Sequence, residues 1–121
     1  MTTNATTPRS TEAIQSLLRQ TLHDLGVGPH YRGYRPVTLA ITLALEDETR
    51  LSAIVKEIYM PVSRVVGVSW VAVERNMRTV ARMCWKNNRP LLEKLAGTQL
   101  PAPPKVSAFL SILFYYLIFS A

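Results

Sequence analysis

The spacing of the apolar residues constrains this chain more than any other feature. Ile14, Leu17, Leu18, Leu22 and Leu25 recur at helical intervals, and Leu51, Ile54, Val55 and Ile58 repeat the pattern. Such intervals line one face of an α-helix, because side chains three and four positions apart lie above one another. Period-two alternation of β-branched and aromatic residues, the signature of a half-buried strand, is scarce. The 121 residues are one domain's worth, and a hydrophobic content of 48% fills a single core and departs from disordered compositions. The expected fold class is all-α: a compact bundle of about six helices containing a helix-turn-helix. A single domain is expected over residues 11–121, behind a polar, disordered N-terminal tail over residues 1–10.

Caps and breakers divide the chain. Ser10 or Thr11 caps a first helix that Gly26 ends. Val27 to Arg35 reads as a loop containing Gly28, Pro29 and Gly33, with the glycines serving backbone turns. A second helix opens at Pro36 and runs through Leu39, Ile41, Leu43 and Leu45 to Glu46-Asp47-Glu48. It is apolar nearly all round and is expected at the centre. A third spans about Thr49 to Tyr59 with Leu51, Ile54, Val55 and Ile58 as its core face. Pro61 starts a short helix to Val66, Gly67 breaks it, and Ser69 caps the next, about Trp70 to Lys86. Asn87-Asn88-Arg89-Pro90 reads as its end, and Pro90 opens a short helix to Ala96. Gly97 to Pro104 is a loop.

The last segment, about residues 106–121, is an apolar terminal helix. Phe109 to Phe119 carries no charge. A helix from Val106 to Ala121 is roughly 24 Å long at ~1.5 Å per residue, and the hydrocarbon core needs about 30 Å. Packing within the domain and against a partner subunit is the preferred expectation, since a large exposed apolar face marks an interface. A short membrane anchor and an altered reading frame are the alternatives.

Fourteen Lys and Arg against eight Asp and Glu give a net charge of +6, which favours polyanionic partners. Cys84 is the single cysteine, so neither an intrachain disulfide nor a cysteine-based zinc site is available. With no apolar N-terminal stretch to act as a secretory signal, a cytoplasmic location is expected. His23 and His30 lack companion ligands, and no nucleophile motif surrounds any Ser or Asp. No metal, no cofactor and no enzymatic activity are expected. Trp85 reads as a core residue.

Tyr59 to Trp85 has the spacing of a short helix, a tight turn and a longer helix, the layout of a helix-turn-helix. At about 100° per residue, Val73, Met77, Val80 and Cys84 share one stripe of the longer helix. Val71, Arg75, Arg78 and Arg82 share the opposite one, with Glu74 beside them. A buried seam opposite an arginine row suits a recognition helix, since a guanidinium fork bonds guanine O6 and N7 together. Glu74 either accepts from a cytosine amino group or orients a neighbouring arginine. The candidate base contacts are Glu74, Arg75 and Arg78. Arg64, Ser69, Arg82 and Lys86 are candidates for phosphate or accessory contacts. The expected partner is double-stranded DNA, with the terminal helix as a site of homodimerisation or tandem binding.

The same residues resemble the C-terminal effector domain of the stage-zero sporulation protein A family. His23-Asp24-Leu25-Gly26-Val27 and His30-Tyr31-Arg32-Gly33-Tyr34 look like the family's opening His-Glu-Ile-Gly-Val and His-x-x-Gly-Tyr segments. Ile58-Tyr59-Met60-Pro61 resembles its Leu-Tyr-Pro step. Val73-Glu74-Arg75-Asn76-Met77-Arg78 matches its Val-Glu-Arg-x-x-Arg segment, and Trp85 and Asn88 fit the Ala-Trp and Gly-Asn that come after it. The similarity covers about Leu18 to Leu117. It implies a six-helix domain that binds a short DNA box, often in tandem copies, with Glu74, Arg75 and Arg78 at the bases. It implies a sporulation-type transcription regulator, here expected to act without its own phosphorylated receiver domain. Ala72 stands where the family often has arginine, and Trp70 and Val71 replace smaller or polar residues. The alternative function is an interaction module that dimerises with a full-length regulator and modulates it, or a membrane-tethered regulator.

Overall fold

The computed structural model describes residues 10–120. The expected disordered tail over residues 1–10 lies outside them except for Ser10. That residue opens helix α1 (Thr11–Asp24), its Oγ accepting the Ala13 N–H at 3.1 Å. Among the described residues the fold is all-α. α2 is Tyr34–Glu46, α3 Met60–Val66, α4 Trp70–Ala96 and α5 Val106–Phe119. A 3-10 turn, Glu48–Ala53, and a π-helical turn, Val55–Tyr59, join α2 to α3. Because α4 is kinked into two limbs, the architecture is a bundle of about six helices.

α2 touches every other element, as its central place predicts, and α5 packs beside it in the middle of the bundle. Val106, Phe109, Leu110, Leu113, Phe114 and Leu117 are all buried, against α1, α2 and α4. That environment fits its uncharged sequence, and Ser107, Ala108, Tyr115 and Phe119 mark the side left exposed. The expected packing within the domain holds, and helix α5 stops at Phe119. Among the described residues no helix is long and apolar enough to cross a membrane.

Two boundaries differ from the sequence reading. α2 begins at Tyr34, two residues before Pro36, because Gly33 joins its first turn and accepts the Val37 N–H at 3.0 Å. The expected third helix from Thr49 to Tyr59 is not one α-helix. Asp47 Oδ1 accepts both the backbone N–H and the hydroxyl of Thr49, which holds the first turn in the tight 3-10 form. The wider π turn then brings Ile58 and Tyr59 to the core and leaves Val55, expected inside, 37% exposed. Pro61 lies in the first turn of α3, Met60–Val66, as its place in the sequence predicts, and the chain enters that helix without a break. Its missing N–H leaves the Glu57 carbonyl without a helical donor, and the Arg50 guanidinium donates to that oxygen at 3.1 Å, so the rod continues.

The kink of α4 lies where the sequence reading ends one helix and begins another: Asn87 to Pro90 ends the first limb of α4 and opens the second. Asn88 alone leaves helical geometry, at φ −153° and ψ 65°. Its Oδ1 accepts the Leu91 N–H at 3.3 Å and so caps the second limb, while its Nδ2 donates to the Asp24 carbonyl at 3.0 Å. Asn87 Nδ2 donates to the Gly26 carbonyl at 3.1 Å. The kink therefore closes the end of α1 as it restarts α4. Trp85, half-buried, donates its indole N–H to the Leu100 carbonyl at 2.9 Å. Glu93 accepts the Leu100 N–H, which holds the loop before α5 and keeps the Glu93 carboxyl below its ordinary range.

Candidate nucleic-acid interface

The turn between α3 and α4 is built from Gly67, Val68 and Ser69. Gly67 is left-handed, φ +78°, and its N–H bonds the Ser63 carbonyl at 2.9 Å. A side chain there would be strained, so glycine fits this turn. Ser69 Oγ then accepts the Ala72 N–H at 3.1 Å and caps α4. Trp70 stacks on Tyr59, with ring centroids 6.3 Å apart and planes 11° from parallel. The cap and the stack together fix where α4 starts.

α4 divides as its spacing predicts. Val73, Met77, Val80 and Cys84 are fully buried, and Ala81 joins them. Val71, Arg75, Arg82 and Lys86 are exposed or partly exposed along the opposite side, as are Arg78 and Glu74. Arg78 Nη2 and Glu74 Oε1 are 3.0 Å apart. This i, i+4 ion pair joins Glu74 to a neighbouring arginine of the row. Burial, reinforced by the nearby Glu74 carboxylate, pushes the Tyr59 phenol up to about 12, so it stays protonated beneath this pair. Burial likewise lifts the Cys84 thiol to about 12. Among the described residues, no three His, Cys, Asp or Glu side chains gather in a metal-binding arrangement.

The remaining candidates are less concentrated. Arg64 is exposed on α3, off the α4 stripe, and Ser69 sits at the turn with its oxygen engaged in the cap. Two residues escaped the sequence reading. Arg32 and Arg35 flank Gly33 at the start of α2 and line one groove together with Arg75, Asn76 and Ala72. The signal was a basic pair straddling a glycine, but nothing local tied it to α4. Gly33 makes that tie. At φ −83° it needs no special backbone conformation. A Cβ there would fall 2.6 Å from Val80 Cγ2 and closer still to the Asn76 carbonyl oxygen. Its role is the close approach of two backbones, beyond the turn expected of it.

With this geometry in place, a comparison with protein-family models bears on its meaning. Residues 18–117 match the model described as "Sporulation initiation factor Spo0A C terminal".

Proposed function

Because the chain belongs to the sporulation initiation factor Spo0A C-terminal family, a family of DNA-binding regulatory domains and not of enzymes, we propose that it is a sequence-specific transcription regulator of the sporulation-initiation type. The effector domain spans residues 11–121 and acts in the cytoplasm. α3, the Gly67 turn and α4 act as a helix-turn-helix, with α4 in the major groove. The observation that carries this reading is the exposed basic stripe of α4 standing opposite a fully buried seam. Such a helix is held by its domain on one side and free to enter a groove on the other.

The roles divide by chemistry. Arg75 has no ion pair among the described residues, and Arg78 presents a fork held by Glu74; both suit guanine O6 and N7. Glu74 serves by setting Arg78 and by accepting from a base amino group. Arg64, Ser69, Arg82 and Lys86 contact phosphates, and Arg32 and Arg35 join them from the start of α2. Phosphate contacts supply affinity without sequence information, and base contacts supply the discrimination.

Enrichment of bound duplexes from a random DNA pool, with mobility-shift titration at rising salt, tests the proposal. A shared motif bound with steep salt dependence is the expected result. Enrichment of no motif refutes it. A second element concerns copies of the chain. Tyr115 and Phe119 stack at the exposed end of α5, with Phe119 79% exposed. This aromatic edge favours pairing of two domains, as a homodimer or on tandem DNA boxes. Light scattering of the chain, free and on a two-box duplex, tests it.

A further inference from the structure

We infer that Val71 contributes to base selection by packing against the C5-methyl group of a thymine close to the guanine read by Arg75. The inference rests on the DNA-binding reading above and adds a base preference to it. Val71 is 52% exposed in the first turn of α4. A single exposed valine is ordinary on a protein surface, but this one has a defined place. It stands four residues before Arg75, on the same face of the helix, and Arg78 and Arg82 continue the row. Val65 and Val68, beside the turn, are exposed as well, so the end that leads the arginines toward a groove is apolar.

Securing the helix does not require Val71. The Ser69 cap and the Trp70–Tyr59 stack hold the start of α4. The apolar group that base pairs display in the major groove is the thymine methyl. A β-branched side chain, with one dominant rotamer in a helix, offers that methyl a preformed surface. One helical turn advances about 5.4 Å and successive base pairs about 3.4 Å. The thymine is thus expected within about two base pairs of the guanine contacted by Arg75. A protein seated on the same apolar tip is the competing occupant.

The test uses the full chain and duplexes it has enriched from a random pool. Thymines are replaced one at a time by uracil, which removes the methyl alone. Guanines are replaced by 7-deazaguanine, which removes the N7 acceptor alone. One or two uracil positions are expected to weaken parent binding about fourfold, the effect of one methyl group no longer buried. The V71S variant is expected to bind thymine and uracil duplexes equally while remaining sensitive to 7-deazaguanine. A parent that senses 7-deazaguanine but no uracil overturns the role of Val71 and leaves the arginine reading intact. A parent indifferent to both replacements overturns the base reading itself, and this inference with it. If V71S loses both sensitivities, V71I decides: retained uracil sensitivity supports the methyl contact, and its loss overturns it.

Discussion

Arg75 and Arg78 look equivalent in the sequence, yet their surroundings differ. Arg78 is paired with Glu74 at 3.0 Å, whereas among the described residues Arg75 forms no ion pair. Arg75 is therefore free to give its whole fork to a base, and Arg75→Ala is expected to lose ~1–3 kcal/mol of specific binding. Arg75→Lys is expected to recover little of it, since an ammonium has no planar fork. Fluorescence anisotropy on the enriched and on a scrambled duplex checks both; unchanged affinity for the enriched duplex would refute the role. Two buried acids make a separate prediction at this scale. Cys84 and Tyr59 are each raised to about 12, from ordinary values of 9.0 and 10.0. In the unfolded chain they ionise first, so the folded state holds more protons above about pH 9. Their stabilisation is full below pH 9 and falls as pH rises toward 12, by up to about 1.4 kcal/mol per pH unit for each group. Melting curves from pH 8 to 11 are expected to decline, and Tyr59→Phe to decline less steeply. A parent melting temperature constant across that range contradicts the assignment.

Two glycines separate what a turn needs from what a helix contact needs. Gly33 has ordinary φ but no room for a Cβ; Gly67 has open space around it but φ +78°. Gly67→Ala is expected to cost ~1–2 kcal/mol, the penalty of a left-handed residue. Gly33→Ala must displace the Asn76 carbonyl or α2 itself, and overpacking of this kind costs about 1–3 kcal/mol. Because Asn76 is next to Arg75, Gly33→Ala should also weaken DNA binding beyond its effect on stability. Urea unfolding and DNA titration of the two variants check the contrast. The same distinction explains what was legible in the sequence. Buried seams are local, so the helix faces, and the stripe of α4 above all, can be read from spacing alone. The run Asn87-Asn88-Arg89-Pro90 is legible as the end of one limb and the start of the next, but its distant partners are not: Asn88 bonds Asp24, and Asn87 bonds Gly26. The grouping of Arg32 and Arg35 with Arg75 depends equally on a contact between elements far apart in the chain.

For the molecule as a whole, the fate of the uncharged C-terminal segment decides how the domain is held together. Uncharged throughout and mostly apolar, it has the composition of a tail anchor or an interface as well as that of a core. The bundle closes around it: Leu110, Leu113 and Leu117 are fully buried, and α1, α2 and α4 all rest on α5. The exposed basic stripe of α4 depends on this support, because α4 docks on the bundle through the side opposite its arginines. Leu113→Ala is expected to cost ~2–5 kcal/mol, the range for a leucine truncated in a packed interior. That is a large share of the ~5–15 kcal/mol stability of an ordinary domain. DNA binding should fall with it only where the fold itself is lost. Phe119→Ser lies at the other end of the same helix, 79% exposed and in contact with Tyr115. It is expected to leave stability within about 0.5 kcal/mol while reducing any association of copies. Urea denaturation and light scattering on both variants separate the two roles of α5. If Leu113→Ala unfolds no more readily than Phe119→Ser, α5 is not the core of this domain.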